Sequence, residues 1–133
     1  MPKKRAYVKR DFESTGASSD VSANLYASML LSPAWRGLTA SQQRLYTYCK
    51  LQLYGEKKKP KTEDYPDGNE RFFTMNKLKW SKTYGLYREN NAAAFYRDMA
   101  ALVDAGFVVV VESGRLTRTK SIYALSGAWK DAT

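Results

Sequence analysis

The stretch from residue 88 to residue 126 constrains the fold most, because it predicts a helix, a stop and a β-hairpin in immediate succession. An apolar stripe at helical spacing lies within it and consists of Phe95, Met99, Leu102 and Val103. Asn90 precedes this stripe, where its side-chain oxygen can accept a free amide of the first helical turn. Gly106 follows the stripe, where a residue of left-handed conformation commonly ends a helix. The pattern therefore predicts a helix over residues 90–105.

A β-hairpin is predicted directly after this helix. Phe107 to Val111 is a β-branched run suited to a buried strand, Ser113-Gly114 is a turn signal, and Ile122 to Leu125 is the returning strand. The predicted tip spans residues 112–121, and it carries three basic side chains with no acid between them: Arg115, Arg118 and Lys120. Positive charge of this density suits contact with the phosphates of a nucleic acid.

A longer helix is predicted upstream, over residues 39–54. Thr39 with Gln42 three positions later is a capping box, and Gly55 stands at the end of the segment. The apolar stripe of this helix consists of Leu45, Cys49 and Leu53. Cys49 is interpreted as a small buried hydrophobic residue, because the chain contains no histidine that could activate its thiol.

Shorter elements are predicted on either side of this helix. Residues 25–31 are interpreted as a strand or the edge of the fold. Residues 55–70 contain two prolines, two glycines and a run of charges, which predicts a loop. Residues 71–74 predict a short strand, and residues 75–84 predict a helix with Leu78 in the core.

A similar hexapeptide occurs twice in the chain, at Leu31 to Arg36 and at Leu125 to Lys130. In both copies Leu and Ser are followed by Pro or Gly, then by Ala, Trp and a basic residue. Each copy is interpreted as a strand end that runs into a turn whose indole covers the sheet, because a tryptophan buries a large apolar area. Trp35 and Trp129 are therefore predicted to be packing residues.

The order of these elements is that of an α+β winged helix-turn-helix, in which a helix fits a groove and a hairpin lies beside it. The predicted fold has three main helices, a small antiparallel sheet and a C-terminal β-hairpin that forms the wing. The predicted winged-helix domain covers residues 25–133. Residues 1–24 are predicted to be a flexible basic tail, because they combine clustered Lys and Arg with small polar residues and bury little apolar surface.

The balance of charge favours an anionic partner. The 133 residues carry a net charge of +9, with an isoelectric point of about 9.7. Such a balance suits nucleic acid, an anionic membrane surface or an acidic protein. No apolar run is long enough to span a bilayer, the N-terminus lacks the apolar core of a secretory signal, and the single cysteine excludes an internal disulfide. These features predict a cytoplasmic protein without a membrane partner.

Enzymatic activity is not predicted. The chain has no histidine, which is the commonest general base and metal ligand, and it has no glycine-rich phosphate loop and no serine nucleophile elbow. One cysteine cannot make a zinc site, and the acids of residues 55–70 lack the spacing of a calcium-binding loop. No catalytic residue, cofactor or metal is therefore expected.

Double-stranded DNA is the predicted partner, with the helix at residues 90–105 in the major groove and the wing at residues 112–121 on the phosphates. The helix face opposite Phe95 consists of Asn90, Ala93, Arg97, Ala100 and Asp104. Its two alanines have short side chains, which gives a low surface, so that the helix can approach a base edge closely. The DNA backbone is predicted to be held by the basic residues that precede this helix, which are Lys77, Lys79, Lys82 and Arg88.

Parts of the chain resemble small winged-helix proteins of bacterial mobile elements, which include replication-initiator-like and accessory DNA-binding proteins of plasmids, phages and conjugative elements. The sharpest parts are Phe95-Tyr96-Arg97, Leu102 to Val108 and Tyr123 to Trp129, within a resemblance that covers about residues 25–130. The resemblance implies a winged-helix fold and double-stranded DNA binding, with Asn91, Tyr96 and Arg97 in groove-reading positions. Ala93 and Ala94 lie on the same predicted surface, where related helices often have Ser or Thr.

The predicted role is sequence- or structure-selective DNA binding in replication or conjugative transfer of a mobile element, with replication or relaxosome proteins as further partners. Two alternatives stay open: a winged-helix module that binds proteins of the same element, and a transcriptional regulator. Binding through phosphates weakens steeply as salt rises, which separates DNA binding from a tyrosine-rich protein interface. The oligomeric state stays open, because the sequence contains no coiled-coil heptad but many aromatic residues.

Overall fold

The computed structural model of the chain describes residues 10–15, 17, 20–113 and 121–131. They form helices and one three-stranded antiparallel sheet, which confirms the predicted α+β class. The elements in chain order are α1 (Ala27–Leu30), α2 (Pro33–Arg36), α3 (Ala40–Gly55), β1 (Phe72–Phe73), a π-helical turn (Lys79–Thr83), α4 (Ala92–Asp104), β2 (Val108–Glu112), β3 (Ile122–Leu125) and a 3-10 helix (Ala128–Asp131). Residues 1–9 of the predicted tail and residues 114–120 of the predicted hairpin lie outside the described residues.

Strand β3 is central in the sheet, because it pairs with β1 on one side and with β2 on the other. Both pairings are antiparallel, and Ala124 of β3 lies opposite Phe72 of β1. The register between β2 and β3 shifts between Val110 and Glu112. The two strands predicted for the hairpin are thus adjacent, and β1 confirms the short strand predicted at residues 71–74.

The capping box predicted at the start of α3 is present. The Gln42 amide donates to Thr39 Oγ1 at 3.2 Å, and the Thr39 amide donates to Gln42 Oε1 at 2.9 Å. These two bonds satisfy amides that would otherwise lack a partner at the helix start. Leu45 and Cys49 are fully buried, and burial raises the pKa of the Cys49 thiol. The prediction that Cys49 is a buried hydrophobic residue is therefore confirmed.

Helix α4 begins one position later than predicted. Its N-cap is Asn91 rather than Asn90, since the Ala94 amide donates to Asn91 Oδ1 at 3.4 Å. Both asparagines are suitable caps, but the turn before the helix is closed by the Asn91 amide, which donates to the Arg88 carbonyl at 2.9 Å. This turn leaves Asn90 exposed ahead of the helix.

The stop predicted at the end of α4 is confirmed. Gly106 has a φ of +88°, which is the left-handed region expected there. The Phe107 amide donates to the Leu102 carbonyl at 3.0 Å, and the Gly106 amide donates to the Val103 carbonyl at 3.1 Å. This pair of bonds is a Schellman motif, which satisfies the last carbonyls of the helix. The apolar stripe is buried as predicted through Phe95, Met99 and Leu102.

Phe107 lies at the centre of an aromatic cluster between the helices and the sheet. Its ring stacks on Trp129 at a centroid distance of 5.6 Å and makes edge contacts with Trp35 at 5.8 Å and Tyr46 at 5.3 Å. Trp35 belongs to α2 and Trp129 to the 3-10 helix, so both hexapeptide copies place an indole on the same ring. The prediction that both tryptophans are packing residues is confirmed.

The prediction of a strand over residues 25–31 is wrong, since Ala27–Leu30 forms the single helical turn α1. Met29 is buried, whereas Tyr26 and Leu31 are exposed. A short apolar run predicts burial but does not distinguish a strand from a helical turn. In this run only Met29 is buried.

The helix predicted over residues 75–84 differs in its phase. Leu78 is 59% exposed and Trp80 is 3% exposed, so the prediction of Leu78 in the core is wrong. The Trp80 ring stacks on Phe95 of α4 at 5.3 Å. The Tyr84 amide donates to the carbonyl of Lys79 five positions earlier at 2.8 Å, which makes this turn π-helical. Burying the larger indole sets the phase of the turn, and Leu78 is left outside.

Strand β2 is less buried than predicted. Phe107 and Val108 are fully buried, but Val109 is 43% exposed and Val110 is 49% exposed. The reason is the position of β2 at an edge of the sheet, where β3 covers it on one side only. A β-branched run predicts a strand in either position.

Candidate nucleic-acid interface

The outward face of α4 carries the residues predicted to read DNA. Its exposed residues, from the N-cap onward, are Asn91, Ala93, Tyr96, Arg97, Ala100 and Asp104. Ala94 is half-buried, so it offers less surface than predicted. Because the apolar stripe faces the core, the low surface formed by Ala93 and Ala100 lies on the accessible side of the helix.

Arg97 is held by a neighbouring buried carboxylate. Asp98 has no exposed surface, and the Arg97 Nε atom donates to its Oδ1 atom at 3.2 Å. The Arg97 side chain is nevertheless 68% exposed. Its two terminal nitrogens have no hydrogen-bond partner among the residues that the structure describes. The guanidinium is thus fixed at one nitrogen and offers the other two to a ligand.

Asp98 joins α4 to α3 and to the turn before α4. Its Oδ2 atom accepts hydrogen bonds from Ser41 Oγ at 2.5 Å and from the Tyr87 hydroxyl at 2.7 Å. Its Oδ1 atom accepts from Arg97 Nε and, at 3.4 Å, from Gln42 Nε2. Four donors therefore surround a charge whose burial would otherwise be costly.

Asp98 was not among the residues predicted from the sequence to form the interface. A signal was available, because Asp98 stands three positions after Phe95 and four before Leu102, on the apolar stripe of α4. A charged residue on a buried stripe requires partners, and Tyr87 and Ser41 supply hydroxyl donors. Their contribution depends on the tertiary structure, since Ser41 lies 57 positions away in the chain.

The protonation states follow from these contacts. Burial raises the pKa of Asp98, but the hydrogen bonds from Ser41, Tyr87 and Arg97 outweigh burial and hold the pKa below its ordinary value. Burial and the bond to Asp98 both raise the pKa of the Tyr87 phenol. At neutral pH the carboxylate is therefore ionised and the phenol is protonated, which preserves the support of Arg97.

Two predicted contact residues from different segments meet in a shallow depression. Lys77, Glu89 and Asn90 line it, and its volume is about 470 Å³. Lys77 belongs to the helical segment before α4, and Asn90 belongs to the turn that leads into α4. The Glu89 carboxylate partly offsets the charge of Lys77. Lys82 and Arg88 are exposed, as predicted for contacts with a DNA backbone.

Lys79 does not belong to this surface, although it was predicted to contact the DNA backbone. Its Nζ atom forms an ion pair with Glu56 Oε2 at 3.0 Å and donates to Gln52 Oε1 at 3.0 Å and to the Thr74 carbonyl at 2.9 Å. The phase of the π-helical turn directs this side chain toward the end of α3. Its ammonium group is committed to these acceptors, so Lys79 is not part of the candidate interface.

The flank of α4 adjoins the root of the hairpin. Burial raises the pKa of Tyr123 in β3, a hydrogen bond with Ser121 lowers it, and the nearby Tyr96 of α4 raises it. Helix α4 packs on β2, which is the first strand of the hairpin. Three predicted phosphate contacts lie in the hairpin tip, outside the described residues: Arg115, Arg118 and Lys120. Their role stays a prediction.

Other kinds of site have less support. Among the residues described, no group of three or more His, Cys, Asp or Glu side chains is arranged to hold a metal ion. Glu63, Asp64 and Asp67 of the loop are exposed. In the described part of the chain, each helix is too short or too polar to cross a membrane.

The comparisons with known proteins do not assign a family. No protein-family model matches the chain, and no curated protein or solved structure is significantly similar to it. The resemblance to winged-helix proteins of mobile elements therefore stays a prediction, and the candidate interface rests on α4, the turn before it and the root of the hairpin.

Proposed function

We propose that this chain is a winged-helix protein that binds double-stranded DNA in the replication or conjugative transfer of a mobile element. The observation that carries the proposal is the low, exposed face of α4, which bears a supported arginine between two alanines. The sheet order β1-β3-β2 and the sequence of helices before it are compatible with a winged helix. In that arrangement α4 enters the major groove and the hairpin lies along the backbone.

Arg97 is the residue best suited to read a base. Asp98 holds its Nε atom, which restricts the guanidinium before DNA arrives and lowers the entropic cost of ordering it. The two terminal nitrogens can donate together to O6 and N7 of a guanine, the commonest specific contact in the major groove. Ala93 and Ala100 allow the helix backbone to come close enough for that contact. Asn91 and Tyr96 extend the same surface.

Phosphate contacts are assigned to the exposed basic residues around α4. Lys77 and Lys82 precede the helix, and Arg88 lies in the turn that leads into it. Cations at such positions fix the orientation of a protein on the duplex without reading its sequence. Arg115, Arg118 and Lys120 of the hairpin would add contacts of the same kind.

Substitution of Arg97 tests base reading. We expect Arg97→Ala to weaken binding to a preferred duplex by about 1–3 kcal/mol and to weaken binding to random duplexes much less. The preferred duplex is selected from a random library, and both affinities are measured by gel shift at two salt concentrations. Arg97→Lys keeps the charge but lacks the planar pair of donors, so it should lose selectivity while retaining affinity for random duplexes.

Arg36→Ala is the matched control, because Arg36 is also exposed and lies on α2, outside the candidate interface. Equal losses for preferred and random duplexes would make Arg97 a phosphate contact only. If Arg36→Ala weakens preferred binding as much as Arg97→Ala, the assignment of α4 to the groove is wrong.

Substitution of the two lysines before α4 tests the phosphate contacts. Lys77→Ala combined with Lys82→Ala should weaken every duplex to a similar degree. The slope of log affinity against log salt should fall in magnitude by about 0.9 for each lost contact. The control is Lys57→Ala with Lys58→Ala, which removes the same charge from exposed residues of the loop before β1. If the two double variants have the same slope, the loss of affinity comes from the lower net charge of the protein and not from contacts of Lys77 and Lys82.

A second candidate function is a protein-interaction module of the same element. The observation that favours it is Leu78, which is 59% exposed on the helical segment that also carries Lys77 and Lys82. An exposed leucine adds nothing to phosphate contact but can be buried by a protein partner. Binding that persists at high salt and is lost in Leu78→Gln would favour this function. A transcriptional regulator would use the same contacts as the first proposal.

A further inference from the structure

A second concave surface lies apart from the candidate duplex interface, and we call it the α1–α3 groove. It has a volume of about 790 Å³, within the range of about 300–1,000 Å³ that is usual for ligand clefts. Its walls come from α1 and the residues before it, one face of α3, the start of β1 and the end of the chain after β3. None of its lining residues belongs to the proposed duplex interface.

Three cations from separate parts of the fold converge on this groove. They are Lys50 of α3, Arg71 beside β1 and Lys130 of the 3-10 helix. Glu70 is the only acidic residue in the lining, so the groove is net positive. No ion pair joins any of the three cations to an acid within the described part of the chain. The charge of the groove is therefore available to an anionic ligand.

The groove is also lined by two exposed tyrosines. Tyr26 is 65% exposed and Tyr54 is 55% exposed, and neither ring packs against another aromatic ring among the residues described. Both contribute to the lining. This distinguishes them from Trp129 in the same lining, whose ring is already stacked on Phe107. The groove thus presents two tyrosine rings without an aromatic partner beside three cations without an acidic partner among the described residues. One of these cations, Lys130, has its Nζ atom 5.9 Å from the centre of the Trp129 ring.

We propose that the α1–α3 groove binds single-stranded nucleic acid, with bases on the faces of Tyr26 and Tyr54 and phosphates near Lys50, Arg71 and Lys130. Stacking on aromatic rings combined with a cationic groove is the usual basis of binding to single strands. A duplex does not fit this arrangement, because its base faces are covered by their neighbours. The proposal stands on different residues from the duplex interface, so either can fail without the other.

The test uses the full chain and a fluorescently labelled thymidine oligonucleotide of about 12 residues, which falls within the range of about 4–16 nucleotides covered by one single-strand site. Fluorescence anisotropy should report binding by the native protein. Tyr26→Leu and Tyr54→Leu should each weaken it at least about fivefold, because they remove the stacking surface but retain apolar bulk. Tyr26→Phe and Tyr54→Phe keep the ring face and should bind as the native chain does.

Further arms separate this site from general attraction to a basic protein. Lys50→Gln, Arg71→Gln and Lys130→Gln should each weaken oligonucleotide binding, whereas Lys57→Gln and Lys58→Gln in the loop should have a much smaller effect. The Tyr→Leu variants should retain duplex binding, and thermal melting should show that they stay folded. The proposal is overturned if the native chain does not bind the oligonucleotide, or if the Leu and Phe variants behave alike. Competition by polyglutamate as strong as that by unlabelled oligonucleotide would also overturn it, since the groove would then take acidic polypeptides.

Discussion

Asp98→Ala is expected to lower the free energy of unfolding by about 3 kcal/mol. The substitution removes a buried carboxylate that accepts hydrogen bonds from Ser41 at 2.5 Å, Tyr87 at 2.7 Å and Arg97 at 3.2 Å. The Ser41 and Tyr87 hydroxyls would then lie next to a small apolar side chain without their acceptor. Ser41 and Tyr87 are half-buried, and a donor that loses its partner in a partly buried site is not fully hydrated in return.

Urea denaturation of the native chain and the variant measures this loss. Asp104→Ala is the matched control, because Asp104 lies on the same helix and is exposed. Its effect should stay within about 0.5 kcal/mol, as is usual for surface positions. Asp98→Asn should fall between the two, since an amide oxygen can still accept from one hydroxyl. Equal midpoints for Asp98→Ala and Asp104→Ala would show that the carboxylate does not join the helices.

The contribution of Asp98 should also depend on pH. Its pKa in the folded chain lies below the ordinary value of about 3.9 for an unfolded aspartate. The folded state therefore binds this proton more weakly than the unfolded state does, so the contribution is complete above about pH 5 and is lost as pH falls through the folded pKa. The stability difference between the native chain and Asp98→Asn should shrink below about pH 4. A difference that stays constant down to pH 2 would contradict the assignment.

Helix α3 and the C-terminal end of α4 were the most predictable parts of this fold. The Thr39 capping box, the apolar stripe of α4 and the left-handed Gly106 are local features, and each depends on residues of one short segment. The predicted start of α4 was wrong because two neighbouring residues could each cap the helix. Asn90 and Asn91 are equivalent as caps in sequence, and the preceding turn decided for Asn91.

Long-range contacts account for the errors of phase. Leu78 and Trp80 are both apolar, and the choice between them depended on Phe95, which stacks on the indole from another helix. The same turn brought Lys79 within 3.0 Å of Glu56, a residue 23 positions earlier. A local sequence pattern does not show that Lys79 and Glu56 lie close together, so Lys79 was predicted to be exposed.

The candidate interface also has a part that the sequence predicted and a part that it did not. The exposed positions of α4 follow from helical periodicity, and Arg97 was placed on them from sequence alone. The support of Arg97 by Asp98 was not predicted, because it combines donors from α3, the turn before α4 and α4 itself. The arginine proposed to read bases and the carboxylate predicted to stabilise the fold are therefore adjacent residues. Asp98→Asn should alter the ratio of the affinities for preferred and random duplexes in gel shift as well as the free energy of unfolding.

Gly106→Ala is expected to lower the free energy of unfolding by about 3 kcal/mol, for two separate reasons. The φ of +88° lies in a region that residues with a Cβ atom rarely adopt, at a cost of about 1–3 kcal/mol. In addition, a Cβ atom at this position would lie 2.7 Å from the Trp129 amide nitrogen and 2.9 Å from the Ala128 carbonyl carbon. These are backbone atoms that cannot rotate away, and the Trp129 amide donates to the Gly106 carbonyl at 3.1 Å.

Two other glycines separate these causes. Gly85 has a φ of +63°, and a Cβ atom there would meet nothing within 4 Å, so Gly85→Ala should show the backbone cost alone. Gly37 has a φ of −77° and ordinary contacts from 3.5 Å outward, so Gly37→Ala should change stability by less than about 1 kcal/mol. The three variants are compared by urea denaturation, together with tryptophan fluorescence.

Gly106→Ala should change the tryptophan fluorescence of the folded state, because moving the 3-10 helix outward separates Trp129 from Phe107, on which it stacks at 5.6 Å. Gly85→Ala should leave that fluorescence unchanged. If Gly106→Ala costs no more than Gly85→Ala and the fluorescence is native, the chain end does not pack against the end of α4. The α1–α3 groove would then lose the wall that Trp129 and Lys130 provide.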